Sequence, residues 1–424
     1  MNFFSSRLWS NKNFIKLWIG QTMSQFGAQI TLLALPLAAI EMLNATPFQV
    51  GVIRAIEYLP FILFGLFAGV VADRYQKKRI LVVTDLVRAL ALVAIPVASL
   101  TQNLSIELLC ITAFLIGSAS CFFDVAYWSY LPSLVHRKHL VDANSKVTAT
   151  QCAAEAAGPA GAGLLIQILT APIAIAVNGL SFLLSAASLT LIHESQPHTV
   201  KHTGAPVKVS QNLTRGIRFI LSEPLLRSLM MKATAWNFLF YLGMPVFLLY
   251  CAQTMRYSPL FIGVLFSAMG LGLVTGALVI QTILKKMHFG KLVNYALLGA
   301  GLAVCGLCLE FDQVFHQRIS LFLFLCIFGF ADALFNVANI SLRQALTPHP
   351  LMGRMTSAMR FVSWGVVPIA SLLGGWLGAT FGFTETLLGA GICAVIFATA
   401  GSVLGPMKHV ACLPRQPNED RSTY

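Results

Sequence analysis

The chain has 424 residues, of which 57% are hydrophobic and only 11% charged, with a formal net charge of +13. About a quarter of the residues in a soluble domain are charged, so this composition excludes that class. It fits a polytopic membrane protein, whose lipid-facing side chains must be apolar throughout. The same positive balance would point a soluble protein toward nucleic acid, but here the placement of the charges explains it and no nucleic-acid partner is expected.

Twelve apolar segments follow one another, at roughly 14–40, 48–71, 80–100, 105–130, 145–169, 171–193, 225–251, 258–284, 290–311, 317–342, 354–380 and 383–407. Each is near or above the ~20 residues needed to cross the hydrocarbon core. With both termini cytoplasmic, nearly all of the 29 Lys and Arg residues fall at the termini or about the turns on that side. Arg256 and Arg318 sit on the other side, and Arg54, Arg88 and Lys232 fall within segments. The charge therefore reads as an insertion signal. The expected organisation is a six-helix bundle over 1–193, a cytoplasmic linker over 194–224, a second bundle over 225–407 and a tail over 408–424.

In chain order, the first segment carries Gln25 and Gln29 on one helix face, candidates for lining a cavity. The second holds Arg54 and Glu57, one turn apart and spaced to pair. Between segments two and three lies a short cationic turn, Gly69-x3-Asp73-Arg74-x2-Lys77-Lys78-Arg79. Asp73 is placed to cap and pair across a helix end, and Gly69 to let helices approach closely. Asp124 follows in segment four and Glu155 near the middle of segment five. Segment five continues Gly158-Pro159-x-Gly161-x-Gly163, where proline removes a backbone hydrogen bond and glycines permit tight packing. The linker holds Leu213, Ile217 and Leu221 at helical spacing, which suits a short helix on the membrane surface. Segment seven places Lys232, Trp236, Asn237 and Tyr241 toward a candidate substrate cavity, as segment ten does Asn336. Asp332 on segment ten is the other mid-depth carboxylate. Charges inside the bilayer are costly and mark function, so Glu155, Asp332, Asp124, Arg54 and Glu57 are the candidate coupling groups.

The halves resemble each other. A turn at Leu131-Pro132 and Asn144-Ser145 opens segment five, and Leu346-Thr347-Pro348 with Gly353-Arg354 opens segment eleven, with Pro368 and Gly374-Gly375 further along it. Duplicated halves suit alternating access around a midplane site. The nine cysteines are scattered, and Cys305-x-x-Cys308 lies mid-helix, where packing outweighs redox or metal chemistry. With no metal-ligand spacing, phosphate-cradling loop or nucleophile elbow, neither an enzyme nor a cofactor nor a metal is expected.

The hairpin at Gly69–Arg79 resembles the one that the major facilitator superfamily carries between its second and third helices, with Gln76 where the family commonly has glycine. The Gly158–Gly163 run resembles the glycine–proline motif of the superfamily's exporters. Leu33-Ala34-Leu35-Pro36, Asp85-x2-Arg88-Ala89-Leu90, Arg343-Gln344 and Trp364-Gly365 resemble the branch holding macrolide efflux proteins and enterobactin exporters. Two superfamily positions depart from the pattern, Gly27 in place of an acid and Ala113 in place of an arginine. The resemblance implies an all-α fold of twelve helices in two bundles around a cavity, lined by helices one, four, seven and ten. It implies gating roles for Gly69, Asp73, Arg74, Arg79, Gly158, Pro159 and Gly163. It also implies a monomeric, proton-driven exporter of an amphipathic small molecule, of drug or siderophore class, in a bacterial inner membrane. The alternatives on the same scaffold are a metabolite or siderophore importer and a lysophospholipid flippase.

Overall fold

In a computed structural model, residues 7–136, 139–193, 209–348 and 351–404 are described, and among them there is no strand. Among the described residues, twelve spans are long and apolar enough to cross a membrane. Six come first: α1 Lys12–Leu43, α2 Pro47–Arg74, α3 Lys77–Leu100, α4 Ile106–Leu134, α5 Leu140–Leu169 and α6 Ala171–Thr190. A shorter helix, α7 Val209–Ser222, precedes the rest: α8 Pro224–Leu249, α9 Pro259–Leu284, α10 Phe289–Leu307 and α11 Val314–Leu346. One span is then divided into α12 Met352–Gly365 and α13 Val367–Phe381, before α14 Phe383–Leu404. The division falls where Pro368 removes the backbone donor of the following turn. The run 354–380 is therefore two helices within one span.

Helix starts follow local chemistry. Asn11 accepts from the backbone N–H groups of Asn13 and Phe14 at the head of α1. Thr46 and Gln49 form a capping box at α2, with Pro47 at the first helical position. Ser105 caps α4 through the N–H of Leu108. A five-residue π-turn, Tyr250–Thr254, extends α8.

The chain divides into two compact units. The first takes what is described before Ala205 together with Leu248–Ser267, and the second what is described from Pro206 to Phe247 and from Ala268 onward. In the first unit α1 packs on α6 and α5, α3 on α6 and α4, and α2 on α4. Small residues set these distances, as membrane helices require. A Cβ at Gly27 of α1 would overlap Asn178 and Ser181 of α6, and one at Gly117 of α4 would overlap the Glu57 carbonyl of α2. Phe14, Leu81, Phe123, Tyr127, Tyr130 and Leu131 fill the core of one end. In the second unit α10 packs on α11 and α14, and α7 on α12. Trp236, Phe328 and Phe335 anchor its core.

Candidate functional site

Two mid-helix carboxylates each carry an amide donor one turn away. On α5 the Gln151 Nε2 donates to Glu155 Oε1 at 2.9 Å, and on α11 the Asn336 Nδ2 donates to Asp332 Oδ1 at 2.7 Å. Glu155 and Asp332 are half-buried and Asn336 is exposed. Among the described residues Glu155 forms no ion pair. Polar side chains left uncovered on a spanning helix belong against water or ligand rather than lipid tails. Gln25 and Gln29 of α1 are also half-buried, and the Gln29 stem lies directly on Gly158 of α5. Asp124 of α4 is half-buried as well.

The first unit holds ion pairs within single helices. Arg54 Nη1 lies 2.8 Å from Glu57 Oε2 on α2, and Lys146 Nζ lies 2.9 Å from Asp142 Oδ1 on α5. Another joins Arg88 to Asp85 on α3. Its guanidinium is held between the rings of Phe123 and Phe182, 4.1 and 4.3 Å from their centroids. Such stacking desolvates the arginine while leaving its charge compensated. Nothing in the linear spacing beyond Asp85-x2-Arg88 signals that clamp, because the two rings come from α4 and α6.

In the second unit α8 sorts its polar residues by face. Lys232 is only 2% exposed. Its Nζ donates to Asn294 Oδ1 of α10 at 2.6 Å and lies 5.7 Å from the Phe397 ring centroid of α14. Trp236 is stacked on Phe335 at 4.6 Å and nearly parallel. Packing thus occupies both side chains. Asn237 donates to the Ser363 carbonyl of α12 at 2.7 Å, and Tyr241 remains half-buried, with Trp364 at 6.3 Å.

At the hairpin, α2 ends at Arg74 and α3 begins at Lys77. Arg74 and Arg79 are exposed, while the Asp73 side chain lies outside what is described. A Cβ at Gly69 would meet nothing within 4 Å among the described residues. Lys77 Nζ donates to the Ser129 carbonyl of α4. Lys78 Nζ donates to the carbonyls of Thr190 and Ile192, at and just beyond the end of α6. Lys16 reaches Leu191 and Asn13 reaches His193 at the same place. These donors complete the orphan carbonyls of a helix C-terminus, where cations are also favoured by the dipole.

The glycine–proline run of α5 meets the start of α9, both inside the first unit. Gly163 takes the Pro259 carbonyl and Gly263 takes the Pro159 carbonyl, so each glycine seats the other helix's proline turn. The Ala160 N–H donates to Ser267 Oγ at 3.0 Å. A Cβ at Gly161, by contrast, would meet open space.

Twelve apolar spans among the described residues, with polar groups at mid-helix, mark a multi-pass membrane protein, and comparison with known proteins makes it a transporter. The chain belongs to the transmembrane secretion effector family of major facilitator transporters, whose profile matches residues 7–420. It is similar to the multidrug efflux pump Tap of Mycolicibacterium fortuitum, 25% identical, covering 85% of this chain and 88% of that one. It is also similar to the enterobactin exporter EntS of Salmonella typhimurium, 26% identical over 80% of each chain. Its fold matches a bacterial homologue of the iron transporter ferroportin, with a TM-score of 0.72 at 17% identity over 93% of this chain and 98% of that one. The protein is thus a multi-pass transporter rather than an enzyme.

Proposed function

We propose that this chain is a secondary-active exporter of an amphipathic small molecule, of drug or siderophore class, driven by protons through alternating access. The observation that carries the reading is the pair of mid-helix carboxylates, Glu155 and Asp332, each with an amide donor one turn away. A carboxylate at membrane depth is tolerated when it can take up a proton, and it releases that proton when water reaches it. The two superfamily positions that would otherwise carry charge support this choice. Gly27 has no room for a side chain, and Ala113 is fully buried. Coupling would then fall to Glu155 and Asp332. Asp124 is the reserve candidate on α4. Gln25, Gln29, Asn237, Tyr241 and Asn336 would contact substrate.

The excess of Lys and Arg on one side argues for both termini in the cytoplasm, and the bacterial exporters among its relatives argue for an inner membrane. Those relatives also favour export over the importer and flippase alternatives. Reconstitution in liposomes tests the reading, with a pH gradient imposed and uptake of a fluorescent amphipathic drug followed. Wild type should concentrate the dye only when the gradient has the right sign. Glu155→Gln and Asp332→Asn should each cut the gradient-driven rate at least about tenfold while the protein still inserts. Wild-type rates in both single variants and in the double variant would overturn the coupling assignment.

A further inference from the structure

Pro36 lies inside α1 and is buried there. Its ring nitrogen carries no hydrogen, so the carbonyl four residues earlier, that of Leu32, loses its helical donor. An unmatched carbonyl within a membrane-spanning helix costs several kcal/mol. Arg54 of α2 reaches this atom from the neighbouring helix, its Nη2 donating to the Leu32 carbonyl at 2.6 Å. The same guanidinium donates through Nη1 to Glu57 Oε2 at 2.8 Å. Arg54 is 8% exposed and the Glu57 side chain 19%. The turn of α2 that carries both residues is itself fixed from a third helix, because the Glu57 backbone carbonyl lies against Gly117 of α4.

We propose that Arg54 is a positioning residue for α1, in which its guanidinium replaces the backbone N–H that Pro36 lacks and Glu57 holds it in place. The planar fork suits this double task, since two N–H groups on different nitrogens point at two acceptors from one rigid plane. The proline turn of α1, the helix carrying Gln25 and Gln29, is thereby held by a charge on α2. This takes Arg54 and Glu57 out of the coupling set and gives them a defined duty. The inference rests on the first unit alone and does not depend on the cargo or its driving force.

The test restores the missing donor. In the purified full chain, Arg54→Leu with Glu57→Gln removes the guanidinium without stranding a charge and should lower the thermal midpoint. Adding Pro36→Ala supplies residue 36 with an N–H, and should recover at least half of that loss. Pro60→Ala is the control, because Pro60 also interrupts a helix but orphans a different carbonyl, that of Ile56 on α2 itself. Its effect should simply add to that of the Arg54 and Glu57 changes. Should the Arg54 and Glu57 variant fail to accumulate as monodisperse protein, recovery of that material on adding Pro36→Ala becomes the readout. Additive losses with Pro36→Ala, or rescue by Pro60→Ala as well, would overturn the proposal. Absence of transport in wild type would bear on the exporter reading alone, since the midpoint reports this contact without any substrate.

Discussion

Single residues here are constrained mainly by what lies against them. Gly27 is the clearest case, since any side chain there collides with Asn178 and Ser181 across the α1–α6 contact. Gly27→Ala should destabilise the protein by about 1–3 kcal/mol through overpacking, read as a fall in the thermal midpoint in detergent. Lys232 is constrained in the opposite sense, by the acceptor it serves. Lys232→Met leaves Asn294 buried without a donor, at a cost of about 1–3 kcal/mol. Adding Asn294→Leu should return most of the loss, and a melting series of the two single variants and the double one decides it. The sequence reading set Lys232 and Trp236 toward a cavity because segment seven gathers polar and aromatic residues in one stretch. Sharing a stretch is not sharing a face, and the burial of these two depends on Asn294, Phe335 and Phe397 from other helices.

At the scale of elements, the spans were legible because length and apolarity alone specify a membrane helix. The interruption between α12 and α13 was less so, since an apolar run does not say whether its proline bends the helix or divides it. The hairpin lysines were legible only as topology signals. Their bonds to the Ser129, Thr190 and Ile192 carbonyls depend on which helix ends lie beside α3, and no local pattern encodes that. Lys78→Ala should therefore loosen the end of α6, costing about 0.3–1 kcal/mol. Faster hydrogen exchange confined to the last turn of α6 would show it, while unchanged exchange there would leave Lys78 as an insertion signal only. The α7 helix makes a similar point. The expected apolar stripe included Leu221, yet Leu221 is exposed, whereas Ile220 is buried and Gly216 sits against the Arg354 backbone of α12.

For the whole molecule, the resemblance of the hairpin implies that Asp73 biases the conformational equilibrium rather than binding cargo. Asp73→Asn should leave substrate affinity nearly unchanged and slow turnover several-fold. Binding measured by equilibrium dialysis beside turnover in liposomes separates the two effects, and a large loss of affinity would place Asp73 in the substrate path instead.

The seating of α5 on α9 also has a consequence in time. Gly163 and Pro159 are synthesised roughly a hundred residues before Pro259 and Gly263, yet all four belong to one compact unit. As the ribosome delivers the early helices, the notched face of α5 must wait beside the insertion machinery with its small residues uncovered. The first bundle is complete only after the chain has passed Ser267, whose hydroxyl oxygen accepts from the Ala160 N–H. A nascent chain stalled before that point should present α5 to proteases and to membrane chaperones, and one stalled well beyond it should not.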